Sequence, residues 1–284
     1  MSAVVLGSLL IFTPPARSGD LPVEAPLPEA RTFLAEVRDR LHTDDFLLDQ
    51  YTFTEKRTER RLDAEGKVKK VTTESYEVYP SAEPGHTYRK LVKRDGQSLP
   101  EEDLAKEDRK QQEREARAAA RSPEVQAERR KKETEAIDEI FRLYDIRIVR
   151  REPLEGRDAI LVTFAPRPGV ETNTKPGRIV QKFSGRAWID ETDRQLVRVE
   201  GELTDDLSFG FGILAKLKKG ARAELKRKKV NDEIWLPAEA RFVGNARIFL
   251  VKAIHIDSVS EYSDYRKFTV ATDSQATPEI PIDP

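Results

Sequence analysis

Residues 208–217 read SFGFGILAKL, two glycines one residue apart followed by a lysine. Glycine turns with a nearby lysine cradle phosphate in nucleotide enzymes, so anion binding is the first chemistry to weigh. A phosphate loop needs a strand, a glycine turn and then a helix whose N-terminus points at the anion. Here Asp205 and Asp206 stand immediately upstream and would repel phosphate, and Lys218, Lys219 and Gly220 open another strand. Neither the G-x-x-x-x-G-K-[ST] nor the G-x-G-x-x-G spacing occurs. What remains is apolar. Phe209, Phe211, Ile213, Leu214 and Leu217 crowd the stretch, and Gly210 and Gly212 let the backbone bend between them. Burying each such side chain contributes about 1.5–3 kcal/mol. The segment therefore leaves water, either as a plug at the end of a core or as a movable lip over a ligand.

Other catalytic constellations are missing. No S-x-x-K, G-x-S-x-G or H-E-x-x-H occurs. Imidazole could come only from His42, His86 and His255, which are far apart in sequence; His255 alternates with Ile254 and Ile256 and so belongs on an outer strand face. The chain has no cysteine, which excludes disulfides, iron–sulfur clusters, thiolate zinc sites and cysteine nucleophiles. Carboxylates are abundant but sit in charge-alternating runs that read as solvated faces. No catalytic residue, metal site or cofactor is assigned, and the chain reads as a non-enzyme.

The 284 residues carry a net charge of -1, with 38% hydrophobic and 36% charged residues. That balance provides no global field for nucleic acid or an anionic membrane. One local patch is basic, KLKKGARAELKRKK at 216–229. It lacks the interleaved aromatics of a nucleic-acid groove. Peripheral contact with anionic lipid or an acidic partner is open to it, and so is the role of a lysine-guarded hairpin edge.

The elements follow from periodicity. LPEARTFLAEVRDRLHTDD places Phe33, Leu34, Val37 and Leu41 on one helical stripe. Period-two strands come next, with Tyr51 and Phe53 on one face and charged outer halves. Residues 101–135 are the most polar stretch and read as two helices or one kinked helix, solvated or partner-binding, with an apolar stripe only at Ile137, Ile140, Phe141 and Tyr144. After Asp145 strand follows turn follows strand, so the sheet is antiparallel. Its apolar face takes Ile160, Val162 and Phe164, then Ile179, Phe183 and Ile189, then Val197, Val199 and Leu203, and later Ile234, Leu236 and Phe242. About nine to eleven strands in one sheet must curl. The expected fold class is α+β, mainly antiparallel β: a curled, unclosed half-barrel with covering helices and an inserted charged helical pair.

The order of helix, strands, inserted helices and further strands, together with GRAWIDETDRQLVRVEGEL at 185–203, resembles the LolA/LolB/RseB group of periplasmic lipoprotein-binding proteins. That resemblance implies an unclosed barrel holding acyl chains under a helical lid, with no catalytic residue. The expected organisation is a signal peptide over 1–18, a proline-rich spacer over 19–28, one half-barrel domain over 29–270 with inserted helices at 101–143, and a disordered tail over 271–284. The expected ligand face comprises Tyr51, Phe53, Phe164, Phe183, Trp188, Leu236 and Phe242 with the flap residues Phe209, Phe211, Ile213, Leu214 and Leu217. Lid positions are Phe33, Val37, Ile137, Ile140 and Phe141. Both Trp188 and Trp235 stand near turns and suit either edge packing or a groove wall. The expected role is a periplasmic carrier of a lipid or acylated protein; the alternative is an envelope sensor or interaction module that recognises a protein through 101–135.

Overall fold

The computed structural model describes residues 25–48, 50–63, 65–80, 87–120, 123–172, 174–209, 215–248 and 252–267. The expected signal segment, most of the spacer, the tail, and the flap residues Phe211, Ile213 and Leu214 lie outside them. Helix α1 (Ala30–Leu48) leads into β1 (Tyr51–Leu62), β2 (Val68–Pro80), β3 (Thr87–Arg94) and the short β4 (Gln97–Ser98). Helices α2 (Glu101–Ala119) and α3 (Pro123–Leu143) follow, then β5 (Tyr144–Leu154), β6 (Arg157–Pro166), α4 (Lys175–Val180), β7 (Phe183–Asp190) and β8 (Leu196–Leu203). The chain ends in β9 (Leu207–Phe209), β10 (Ala215–Leu217), β11 (Arg222–Val230), β12 (Ile234–Ile248) and β13 (Lys252–Lys267).

All these strands join one antiparallel sheet: eleven follow the order β4-β3-β2-β1-β13-β12-β11-β8-β7-β6-β5, β10 pairs with β12 and β9 with β10, and β4 and β5 at the two ends do not meet. Thirteen twisted strands curl rather than lie flat. The sheet is therefore a curled half-barrel that does not close. Residues directly opposite on antiparallel strands share a face, so register shows which side chains look inward. Val162, Ala187, Val199, Leu225 and Ala240 form one such inward row across β6, β7, β8, β11 and β12.

Helix α1 lies on that face. Phe33 and Val37 are buried against Ile160, Val162, Ala187 and Ile189, with Leu34, Leu41 and Phe141 packed around them. The start of α1 is held by Glu29, whose carboxylate accepts the backbone N–H groups of Arg31 and Thr32 at 2.9 and 2.7 Å and the Thr32 hydroxyl at 2.7 Å. The Thr32 hydroxyl, then these backbone bonds, hold the Glu29 pKa down to about 2. Helix α2 takes the other side of the sheet's far end: Tyr88 and Lys90 of β3 reach Asp108 at 3.0 and 2.8 Å. Tyr88 is paired with Tyr79, one step out of phase with the inward Val78 and Arg89, so α2 docks on the outer face.

One strand assignment is corrected. Ile179 was expected on the inward strand with Phe183, but it belongs to α4. The Thr174 side chain accepts the Gly177 N–H at 2.9 Å as a helix cap, and Pro176 presets the first turn. That capping signal overrides the period-two reading, and β7 starts only at Phe183.

Candidate functional site: an apolar cavity under two helices

Between the sheet and the helices lies a cavity of about 830 Å³. Its floor is the inward row, deepened by Gly201 and Ala223 on the next row. Small side chains recur where strands cross the middle of the floor, and this leaves the hollow. Gly185 stands opposite Gly201; a Cβ there would fall 1.8 Å from the Glu200 carbonyl oxygen and 2.9 Å from the Phe164 ring. Glycine is what lets Phe164 lie over these strands. Phe164, Phe183, Tyr144 and Val180 wall one end, and Leu196, Trp235, Leu236 and Pro237 the other. The roof is Leu34, Val37 and Leu41 of α1 with Ile137, Ile140 and Phe141 of α3.

Polar groups at the cavity are committed elsewhere. Tyr144 donates its hydroxyl to the Val180 carbonyl, and burial pushes its pKa up to about 12, so it stays neutral. Glu224 contributes to the wall, but its carboxylate lies 2.7 Å from Arg198 on the outer side. Arg227 sits at the bulge where β8 stops pairing with β11. Its guanidinium donates to the Leu196 carbonyl at 3.1 Å and to the Trp235 carbonyl. It thus sutures two diverging strands with groups the ladder has left open.

The roof is fastened from outside. Asp138 of α3 meets His42 at 3.2 Å and Arg38 at 3.7 Å, both on α1. Glu36 of α1 accepts from Arg194 at 2.6 Å, and Arg194 also covers the Phe33 ring at 5.0 Å. Glu139 anchors α3 to the loop before α4 by accepting from Thr172 and Thr174 at 2.5 Å each. Burial disfavours the Glu139 carboxylate, but bonds from Thr172, Thr174 and Arg142 outweigh it and keep its pKa below the ordinary value. Exposed ion pairs contribute about 0.2–1 kcal/mol. Asp138→Asn is accordingly expected to lower the melting temperature by no more than about 4 °C in thermal denaturation, and high salt should narrow the gap between variant and wild type.

Of the expected site residues, Phe164, Phe183, Leu236, Val37, Ile137, Ile140 and Phe141 border the cavity. Others do not. Trp188 is corrected to the outer face: it lies between Ala187 and Ile189, which both look inward, so the pleat turns it away. There it packs on Ala159 and Leu161, donates Nε1–H to Glu152 and is covered by Arg186 and Arg198. Phe33 lies behind the roof in the packed core. Tyr51 is buried with Ile234 against Tyr265, and Phe53 meets Tyr262 edge-on and Tyr265 at a tilt, beyond the end wall. Leu217 and Phe242 pack with Leu203, Leu207 and Ala221, next to Phe183 but off the cavity. Phe209 ends β9 opposite Ala215 of β10. Phe211, Ile213 and Leu214 lie outside the described residues.

Trp235 is the wall residue that sequence left undecided. It is buried, and its Nε1–H donates to Asp193 at 3.0 Å. No group of His, Asp or Glu with metal-binding geometry occurs among the described residues. The basic stretch is largely neutralised: Lys216 and Lys218 each lie 3.0 Å from Asp206, Arg222 3.0 Å from Glu202, Lys226 2.9 Å from Glu239 and Lys229 3.0 Å from Asp193. The Lys219 N–H, then Lys218 and Lys216, hold the Asp206 carboxyl far below the usual range.

No family model matches the chain, and no curated protein matches it. Among solved structures it is similar to a domain named for outer membrane lipoprotein sorting from Vibrio parahaemolyticus, 13% identical over 88% of this chain and 96% of that one, with a TM-score of 0.32. A LolA superfamily protein from Nitrosomonas europaea is 10% identical over 87% and 96%, TM-score 0.32. A chain of the MucA/MucB complex from Pseudomonas aeruginosa is 10% identical over 83% and 100%, TM-score 0.25. At these values the likeness transfers no function. The unclosed, helix-covered sheet expected from the sequence is nevertheless the architecture found, and its cavity has to be interpreted on its own geometry.

Proposed function

We propose that the protein is a non-catalytic, exported binding protein that holds the acyl chains of a lipid or acylated protein in this cavity. One observation carries the reading: the described residues leave about 830 Å³ of carbon-lined space unfilled by their side chains. At roughly 24 cal/mol per Å³, sealing that volume empty would cost on the order of 20 kcal/mol. Whole domains are stable by only about 5–15 kcal/mol. The space is therefore open to solvent or occupied, and each methylene moved into it from water is worth about 0.8 kcal/mol. Its size falls within the range of about 300–1,000 Å³ typical of ligand pockets.

Export to the periplasm is supported by the apolar run at 3–12, too short to span a bilayer, which needs about 20 residues. The rival reading, a partner-binding arm over 101–135, finds less support. On α2 several charges are paired within the helix: Lys106 with Glu102 and Asp103, Lys110 with Glu107, Arg117 with Glu113. Neutralised faces steer partners weakly. Native mass spectrometry and organic extraction of the purified protein should find a bound acyl species, and a fluorescent fatty acid should bind after delipidation. Absence of both results would remove the proposal.

A further inference from the structure

The turn between β1 and β2 forms a corner of the sheet. β3 begins pairing with β2 only at Glu74, so Val68 to Thr72 present an open strand edge. Lys67, Val68, Lys69, Lys70 and Val71 are all exposed there. Register sorts them by face. Leu62 stands opposite Val68 and Arg60 opposite Val71, so these four share one face; Lys70 shares the other with Arg61, and Lys69 is the extra residue at the bulge between them.

The lysines of this corner are not spent on internal pairs. Residues 60–71 carry five basic side chains and two acidic ones. One of the two, Asp63, has its carboxylate taken by the Glu65 and Lys67 backbone N–H groups at 3.2 and 2.8 Å. Arg60 lies 3.8 Å from Asp257 and Arg61 3.0 Å from Glu59. Lys67, Lys69 and Lys70 have no acidic partner among the described residues, unlike the lysines of 216–229, most of which are neutralised. The corner is also more than a guarded edge. Lysine alone discourages strand pairing, yet Val68 and Val71 leave 47% and 49% of their surface in water.

We infer that this corner is a peripheral docking surface for an anionic lipid bilayer, separate from the cavity and from whatever fills it. The valines enter the headgroup boundary, while the lysine stems lie along it and set their ammonium groups against lipid phosphate. Two features favour a bilayer over an acidic protein. The basic and apolar groups wrap both faces of one hairpin; a protein patch meets one face, whereas a fluid headgroup layer surrounds the tip. The surface is also small, and a stable protein interface needs about 800 Å² from each partner.

The test is co-sedimentation of the full-length protein with vesicles of phosphatidylcholine alone, or with phosphatidylglycerol as about one lipid in three. Binding should be tighter on the anionic vesicles, and the excess should fall as salt rises. Each lysine at such a surface is worth about fivefold in partition coefficient. Lys67→Ala, Lys69→Ala and Lys70→Ala combined should therefore erase the excess, a loss of about tenfold or more. Arg147→Ala with Arg150→Ala removes two exposed cations from β5 at the opposite edge of the sheet and should change nothing. Val68→Trp reads the contact directly. Trp188 and Trp235 are buried, so the introduced indole carries the signal, and its emission should shift to the blue on anionic vesicles only. Equal binding to the two vesicle types, an excess that survives the triple variant, or an unshifted indole would each overturn the docking surface. Self-association of the lipid-free protein that the triple variant alters would overturn it too, and assign the open edge to a second copy.

Discussion

Ala240→Trp is expected to lower the affinity for a fluorescent fatty acid by about thirtyfold without unfolding the sheet. Ala240 lies mid-floor, flanked in register by Leu225 and Ser260, at the last position of the inward row. An indole there projects into open space and takes the place of several methylenes of a guest. Losing two or three of them removes about 2 kcal/mol, which is roughly thirtyfold. The same substitution in a close-packed core behaves oppositely, because overpacking costs about 1–3 kcal/mol of stability. The two possibilities separate cleanly in one pair of measurements. Weaker probe binding with an unchanged melting temperature means the hollow is a binding site. A lowered melting temperature with unchanged binding means the floor is ordinary core and the guest sits elsewhere.

The half-barrel was legible because strand periodicity and turn residues are local signals. Val162, Val199 and Leu236 fall on the inward face by simple alternation. The stripe Leu34, Val37 and Leu41 likewise placed α1 on that face. What stayed hidden was the depth of the floor. Ala187, Gly201, Ala223 and Ala240 carry no signal of their own, and only cross-strand register shows that they cluster. Size also misled. Trp188 and Phe53 attract attention as large apolar groups, yet a one-residue step of the pleat puts Trp188 outside and the width of the sheet puts Phe53 beyond the cavity. Capping chemistry at Thr174 and Pro176 was present in the sequence and was outvoted by an apparent alternation through Ile179.

The sharpest stability effect is expected at Asp190, inside the stretch AWIDETDRQ on which the resemblance to lipoprotein-binding proteins was drawn. Asp190 is 1% exposed. Its carboxylate accepts the backbone N–H groups of Thr192 and Asp193 at 3.0 and 2.7 Å and pairs with the Arg157 guanidinium, with Nη2 at 3.0 Å. Asp193, held in that turn, takes the Trp235 indole N–H and Lys229 in its own carboxylate, so the β7–β8 turn ties β6 and β12 to the end wall of the cavity. Asp190→Ala leaves two part-buried N–H groups without their acceptor and Arg157 with Asp193 alone, a loss of about 3 kcal/mol. At about 2–4 °C per kcal/mol for a chain of this size, the melting temperature should fall by roughly 10 °C. Asp190→Asn keeps an acceptor for the turn and loses only the charge pairing, so it should cost less than half as much. Thermal denaturation of the two variants checks the ordering, and a loss below about 1 kcal/mol for the alanine variant would contradict it. Because Asp190 does not border the cavity, its role within this turn is structural: the aspartate fixes the frame against which Trp235 stands, and probe affinity should fall in Asp190→Ala only in proportion to the unfolded fraction.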